Sequence, residues 1–124
     1  MMSGGFFFLL GLAFLLTHEL DAIRCKEWRI FPVTSALGDD AGYRVFTALH
    51  LPLYALLLWG LYGAGDANLA LIVALDLFFI VHLGLHLLLR NLPRNEFGSP
   101  FSKVLFWGAG LCGALDLWRV FSLA

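Results

Sequence analysis

Charged residues are scarce in this chain of 124 residues, where Asp, Glu, Lys and Arg together make up only 14% of the sequence. Soluble domains typically carry about 25% charged residues, so a water-soluble fold is not expected. Cysteine is scarce too: the chain has only Cys25 and Cys112, without a CxxC pair or another thiolate zinc spacing. The two thiols are therefore predicted to be small buried side chains that do not pair.

Common catalytic motifs are also missing from the sequence. It contains neither a glycine-rich phosphate-binding loop nor a GxSxG nucleophile elbow. His18-Glu19 begins like the HExxH motif of zinc proteases, but Ala22 stands where the second histidine is required. Chemistry in this chain would have to come from a different arrangement of side chains.

Apolar residues are abundant instead, at 60% of the chain, and they are arranged in four long runs. The runs predict membrane spans at about 5–25, 43–62, 68–89 and 101–118, each close to the ~20 residues that cross a hydrocarbon core. We therefore predict an all-α, integral membrane bundle of four transmembrane helices that forms one domain over residues 1–124. The first span is not predicted to be a signal peptide, because no basic residue precedes it and no small-x-small cleavage site follows it.

Polar residues at the predicted helix starts support these spans. Asp39 or Asp40 is expected to cap the second helix, and Asn68 is expected to cap the third. Ser99 followed by Pro100 predicts the start of the fourth helix, because proline suits the first helical position.

The distribution of Lys and Arg predicts the orientation of the bundle. Basic residues flank the first connection, between the first and second predicted helices, and the third connection, between the third and fourth. The second connection, between the second and third helices, and the N-terminal segment have none. Seven of the eight basic residues therefore mark one face: Arg24, Lys26, Arg29, Arg44, Arg90, Arg94 and Lys103. By the positive-inside rule this face is cytoplasmic, so both termini are expected on the non-cytoplasmic side of a bacterial inner membrane.

Four histidines lie within the predicted spans at nearly the same depth. His18 and His50 are each six residues from an arginine at the cytoplasmic face, or roughly 9 Å along a helix. His82 and His86 are eight and four residues from Arg90, or roughly 12 and 6 Å. Ionisable side chains inside a bilayer are costly and commonly mark a functional site. The shared depth across three helices therefore predicts a buried metal site.

The HxxxH pair formed by His82 and His86 lies on one helix face and can supply two ligands to one ion. His18 and Asp21 share a face of the first helix, whereas Glu19 points about 100° away from His18. The predicted metal ligands are His18, His50, His82, His86 and Asp21. Zinc or iron is the expected ion, because both accept imidazole together with carboxylate. The residues expected around these ligands are Glu19, Glu27 and Thr47.

A second polar layer is predicted toward the opposite face of the bundle. Asp76 and Asp116 each lie roughly 20 Å from the cytoplasmic side, counted from Arg90 and Lys103. Asp116 is expected to pair with Arg119, three residues further along its helix. Asp76 needs a partner, so it is predicted either to belong to a proton or ion path or to be held neutral by burial.

One part of the sequence resembles the first helix of small bacterial multi-pass membrane proteins of unknown function. The residues that carry the resemblance are Leu16-Thr17-His18-Glu19-Leu20-Asp21, followed by Glu27-Trp28 and Phe31-Pro32. They are most similar to a family described by an HxxEE motif. His18 and Asp21 match its histidine and first acid, whereas Ala22 replaces the second glutamate. The resemblance covers roughly the first third of the chain and implies a small helical membrane protein with a metal site.

A looser resemblance concerns the chemistry of the site. Membrane-embedded zinc hydrolases of the ceramidase and adiponectin-receptor type use a histidine on one helix and an HxxxH pair on another, as His50 with His82 and His86 would. Those proteins have about seven helices and this chain has four predicted ones, so the resemblance is one of site chemistry.

The first functional hypothesis is a membrane-embedded, metal-dependent hydrolase that acts on a lipid or another amphiphile. The ion would activate water as the nucleophile, and Glu19 or Asp21 would be the catalytic general base. The expected partners are the lipid bilayer and the amphiphilic substrate, and no nucleic acid.

Two other hypotheses remain open at this point. A four-helix bundle can hold haem between two axial histidines, and His50 with His82 or His86 would form such a pair. The other hypothesis is a non-enzymatic role, as a transporter or an accessory subunit. Four helices make a thin wall for a transport path, so a transporter would have to be a homo-oligomer.

Overall fold

The computed structural model describes residues 5–63, 65 and 68–123. The described chain is entirely helical apart from its connections and contains no strand. Its helices are α1 (Phe6–Arg24), α2 (Pro32–Ser35), α3 (Asp39–Leu58), α4 (Leu69–Leu88) and α5 (Pro100–Ser122). A 3-10 turn at Glu27–Arg29 follows α1, and a π turn at Trp59–Gly63 extends α3.

Four of these segments agree with the predicted membrane spans. The segments long and apolar enough to cross a bilayer are Phe6–Arg24, Asp39–Gly63, Leu69–Leu88 and Pro100–Ser122. Many of their Leu, Phe and Val side chains are exposed, as expected of helices that face lipid. The second span begins at Asp39, four residues before the predicted start at residue 43. The residues before the hydrophobic run therefore already have helical geometry.

Two of the three predicted helix caps are confirmed. Asn68 accepts a backbone N–H of α4 at 3.2 Å, and Ser99 accepts one of α5 at 3.1 Å. The predicted cap of α3 is wrong, because Gly38 occupies that position and both Asp39 and Asp40 lie in the first turn. Acidic residues there still suit the positive end of the helix dipole.

Asp39 joins the first connection to the start of α3. Its carboxylate accepts hydrogen bonds from Arg29 at 2.7 Å, from the Trp28 indole at 3.4 Å and from Lys26 at 3.4 Å. This engagement explains why Asp39 does not cap the helix. It also holds the turn after α1 in a defined position.

The packed core is built by α1, α4 and α5, while α3 stands beside it. The main apolar cluster consists of Phe8, Leu12, Leu15, Leu61, Ile72, Phe79 and Ala109. The helix α3 packs mainly against α2, the 3-10 turn and the π turn, which lie at its two ends. Gly42 is its only buried residue. Only a few α3 side chains reach the core, among them Phe46, His50 and Leu57, and this sparse packing leaves space between α3 and the core.

The contact between α4 and α5 depends on the absence of a side chain at Gly113. A Cβ atom at this position would lie 2.7 Å from the backbone carbonyl oxygen of Asp76. A backbone oxygen cannot move aside as a flexible side chain can. Small residues of this kind allow membrane helices to approach closely.

We expect Gly113→Ala to destabilise the protein by about 1–3 kcal/mol, because the added methyl group overpacks the contact between α4 and α5. The matched control is Gly84→Ala, since no atom lies within 4 Å of a Cβ at Gly84. The control should be neutral or more stable by up to about 1 kcal/mol through helix propensity. Thermal unfolding in detergent measures both variants. Equal shifts of Tm in the two variants would contradict the described packing.

Candidate metal centre

Three histidines and one glutamate converge beside the first connection. His18 lies in α1, His82 and His86 lie one turn apart in α4, and Glu27 begins the 3-10 turn. All four side chains are buried. The spacing of four residues places both α4 histidines on the same helix face, as the sequence predicts.

One carboxylate oxygen faces all three rings. Glu27 Oε1 lies 3.8 Å from Nε2 of His18 and 3.8 Å from Nε2 of His82. The Nε2 atom of His86 is closer to the same oxygen, at 3.4 Å. One ligand atom from each residue can be chosen so that all four lie within 4.8 Å of one another. Ligands bonded to a tetrahedral zinc ion at ~2.0–2.1 Å would be roughly 3.3 Å apart, so a small contraction would let this group hold an ion.

Glu27 reaches the histidines because the chain reverses direction directly after α1. Lys26 adopts the left-handed conformation, with φ at 52°. This conformation costs a non-glycine residue roughly 1–2 kcal/mol, so the contacts that follow must compensate for it. Trp28 supplies one of them, since its ring is buried and its indole N–H donates to Asp39.

Two phenylalanine rings close the group on the side of α5. Phe106 stacks on His86 with ring centroids 4.5 Å apart, and Phe97 lies 5.3 Å from His18. The Asn95 side chain holds Phe97 in place by accepting its backbone N–H at 2.9 Å. These rings exclude water, so charges inside the group are screened less than at a surface.

Several ring nitrogens lack the partners that buried polar atoms usually have. Neither nitrogen of His18, nor Nδ1 of His82, makes a hydrogen bond to any residue that the structure describes. Burial raises the pKa of the Glu27 carboxyl, but its interactions with the three imidazoles outweigh burial and hold that pKa well below its ordinary value. The group therefore combines an anion with unpartnered nitrogen ligands, which is the chemical character of a cation site.

A small cavity adjoins the group. Its volume is about 20 Å³, which is room for about one water molecule. Three of the four candidate ligands, Glu27, His82 and His86, line it together with Ile30 and Asn95. A water molecule or a reacting atom could therefore reach the centre from this side.

His50 does not join the group, although it was predicted as a ligand at the same depth. Its Nε2 atom lies 2.8 Å from Oε2 of Glu19, and its Nδ1–H donates to the Phe46 carbonyl at 2.6 Å. Glu19 points away from His18 around α1, as the rotation of about 100° per residue requires. The structure thus brings a predicted ligand and a predicted general base together in a separate pair, which we call the Glu19–His50 dyad.

Asp21, predicted both as a ligand and as a base, also has other partners. Its Oδ2 atom accepts the hydroxyl hydrogen of Ser102 at 2.5 Å, and its Oδ1 atom accepts from Arg24 at 3.3 Å. The bond to Ser102 is buried and links α1 to α5. In this structure Asp21 therefore connects two helices of the core.

The second polar layer is present as well. Asp76 and Asp116 are both completely buried. The predicted pair of Asp116 with Arg119 is confirmed, with the Arg119 Nε–H donating at 3.0 Å. Neither carboxylate oxygen of Asp76 has a hydrogen-bond partner among the described residues. The role of Asp76 in a proton or ion path stays a prediction.

The sequence predicts Glu27 only as a residue around the ligands. In the structure it is one of the four candidate ligands. Glu27 lies beyond the end of the first helix, where helical spacing no longer predicts direction. One signal was available: Glu27 is the only acidic residue in the basic stretch 24–29 and directly precedes a tryptophan. An acid so placed is a candidate for an inward-facing side chain.

A family model described as "Family of unknown function (DUF6713)" matches residues 5–123. The match covers nearly the whole chain, whereas the HxxEE resemblance rested on the first third. No curated protein and no solved structure matches the chain. The likeness to ceramidase-type zinc hydrolases therefore rests on the pattern of histidines alone.

We expect Ser102→Ala to lower the free energy of unfolding by about 1–3 kcal/mol, because the buried Asp21 carboxylate loses its hydroxyl donor. The matched control is Thr17→Ala, where an exposed hydroxyl bonds only to the preceding helical turn and the change should stay within about 0.5 kcal/mol. Thermal unfolding measures both variants. Unchanged stability in Ser102→Ala, or equal losses in the two variants, would contradict the connecting role of Asp21.

Proposed function

The chain belongs to the DUF6713 family, whose function is unknown, and we propose that it is a membrane-embedded metalloenzyme with one divalent transition-metal ion. The ligands in this proposal are His18, His82, His86 and Glu27. The observation that carries it is the convergence of three histidine Nε2 atoms on one oxygen of a buried glutamate. Zinc suits this donor set best, since it accepts imidazole and carboxylate in tetrahedral geometry.

A single ion fits the group better than haem does. The rings of His18, His82 and His86 contact one another with centroids 4.6–4.8 Å apart. A haem plane needs an open slot between its two axial histidines, and these packed rings leave no such slot within the described cluster. The proposed axial partner His50 has its Nε2 atom directed at Glu19.

Hydrolysis of a lipid or another amphiphile is the reaction that we propose. A bound zinc ion supplies Lewis acidity and lowers the pKa of a coordinated water. The cavity of about 20 Å³ offers a place for a water molecule beside Glu27, His82 and His86. Glu27, the carboxylate that lines this cavity, is a proposed metal ligand with a lowered pKa, so its role in this proposal is to hold the ion beside the water rather than to accept a proton.

The orientation that we propose places the first and third connections at the cytoplasmic face. These connections carry seven of the eight basic residues of the chain. Glu27 and the cavity lie beside the first connection, so the centre would be near that membrane surface. An amphiphile could present its polar end there while its apolar part stays in the bilayer.

The metal proposal predicts one equivalent of zinc in protein purified without chelators, measured by elemental analysis. The double variant His82→Ala/His86→Ala should retain less than about a tenth of an equivalent, because two of the four ligands are lost. Glu27→Gln keeps the side-chain volume but removes the anionic ligand, so chelator competition should show affinity at least about tenfold lower.

The control for these variants is His50→Ala, which removes a membrane histidine outside the proposed ligand set. This variant should keep its equivalent of zinc. Metal lost equally from His50→Ala and from the double variant would contradict the ligand assignment. Protein that neither contains zinc nor gains Tm when zinc is added would contradict the metal proposal itself.

A structural ion is the second candidate for this centre. The observation that favours it is that the protein can supply four ligands, whereas catalytic zinc sites commonly keep one position open. Such an ion would link α1, the 3-10 turn and α4. At a free concentration of 100 times Kd it would stabilise the folded protein by about 2.7 kcal/mol.

Blocking the cavity separates the two candidates. Ile30→Trp places a bulky ring in the cavity wall without removing a ligand, and Leu88→Trp is the control because Leu88 is 77% exposed. The assay follows zinc-dependent cleavage of the ester probe p-nitrophenyl decanoate. A hydrolase should lose at least about tenfold in rate with Ile30→Trp but keep its zinc, and the control should keep both. Normal zinc content and Tm without zinc-dependent cleavage in the unmodified protein would contradict the hydrolase and leave the structural ion.

A further inference from the structure

A cleft opens between α3 and the packed core, on the other side of α1 from the candidate metal centre. It comprises two adjoining cavities of about 280 and 170 Å³, which share Glu19, His50 and Tyr54 as lining residues. The larger cavity has apolar walls otherwise, formed by Leu15, Leu53, Leu57, Leu75 and Phe78. The combined size falls in the range of about 300–1,000 Å³ that is usual for small-molecule sites.

The cleft is open toward the lipid. Leu20 and Leu53 line it, yet they are 75% and 57% exposed. It exists because α3 touches the core at few points, through Phe46, Leu57 and the Glu19–His50 dyad, and is otherwise held by contacts at its ends. An apolar chain could therefore enter sideways from the bilayer.

The Glu19–His50 dyad is the polar feature of this otherwise apolar cleft. A carbonyl oxygen can only accept, so the contact with Phe46 requires a proton on Nδ1 of His50. The Nε2 atom and Glu19 Oε2, 2.8 Å apart, then share one further proton between them. A dyad that holds a single proton in this way can both donate to and accept from a ligand.

Two hydroxyl groups extend the polar part of the cleft along α3. Thr47, His50 and Tyr54 are spaced at three and four residues, so they lie on the same helix face. The Tyr54 hydroxyl makes no hydrogen bond to any residue in the described part of the chain. It is therefore available to a ligand in the cleft.

The charges in the cleft indicate which head group it would accept. Its lining contains one acid and one histidine, and no Lys or Arg. An anionic head would meet the glutamate without a compensating cation, and a cationic head would have to compete with the histidine that already bonds to it. A neutral head with hydroxyl or carbonyl groups can hydrogen-bond to the dyad and the hydroxyls without such a cost.

We propose that the cleft between α1, α3 and α4 is a binding site for an acyl-chain amphiphile with a neutral, hydrogen-bonding head group. The acyl chain lies against the leucine wall, and the head meets Glu19, His50 and Tyr54. This site goes beyond the metal centre, because none of its lining residues is a proposed metal ligand. Phe78 lies between the two, since it lines the cleft and stacks on His82 with ring centroids 5.5 Å apart.

The test is photolabelling of the full-length protein in lipid nanodiscs with monooleoylglycerol that carries a diazirine in its acyl chain. Labelled positions are mapped by peptide mass spectrometry. We expect labels to concentrate on the leucines of the cleft at 15, 53, 57 and 75. Protein stripped of metal by a chelator should label equally, so failure of this site and failure of the metal proposal are separate results.

Two variants on α3 test the location. Leu57→Trp fills the cleft and should reduce labelling at least about tenfold through steric exclusion. Leu56→Trp places the same ring on the lipid-facing side, where Leu56 is 65% exposed, and should leave labelling within about twofold. Labels spread evenly over all lipid-facing helices, or an equal effect of both variants, would overturn the proposal.

Three further measurements test the occupant. His50→Phe should weaken labelling by monooleoylglycerol about five- to tenfold but leave labelling by a diazirine-bearing octadecane unchanged, because only the first probe has a head to bind. Unlabelled monooleoylglycerol should compete better than oleate at pH 9. Equal competition by oleate would overturn the neutral head group. Cross-links between two copies through positions 53 and 57 would assign the cleft to a dimer instead.

Discussion

A carboxylate can be buried in an apolar bundle only if other groups replace the water that it loses. The ring nitrogens of His18, His82 and His86 face one oxygen of Glu27 at 3.4–3.8 Å, and a cation held among them would meet this requirement. Bringing the carboxylate there requires the chain to reverse immediately after α1. Lys26 therefore adopts the unfavourable left-handed conformation. Thus α1 and the 3-10 turn meet α4 at this polar contact as well as through the apolar cluster.

Much of the fold could be predicted from the sequence, because four apolar runs of membrane length leave few alternatives. The position of α3 beside the core could not, since its residues are nearly as apolar as those of the buried helices. For the candidate site, the helical rise placed four histidines at one depth, and the spacing of four put His82 and His86 on one face. Depth does not define rotation about a helix axis, however, and rotation separates His50 from the other three. Glu27 lies on an irregular turn, where no periodicity predicts direction.

Neighbouring residues of α1 serve two different environments. His18 faces α4 and the aromatic rings near α5, whereas Glu19 faces α3 across the cleft. One helix therefore divides a tightly packed, water-poor region from one that is open to lipid. Phe78 contributes to both sides, because it stacks on His82 and lines the cleft. This arrangement allows a small chain to contain both the enclosed candidate metal centre and the open, largely apolar cleft.

The candidate ligands are far apart in the order of synthesis. His18 and Glu27 belong to the first span and its connection, whereas His82 and His86 lie near the end of α4. The nascent chain cannot bring them together until the third long helix has entered the bilayer. An ion would therefore be acquired after insertion, by a chain that has already reached its destination. In the proposed orientation that ion would come from the cytoplasm, since Glu27 belongs to the first connection.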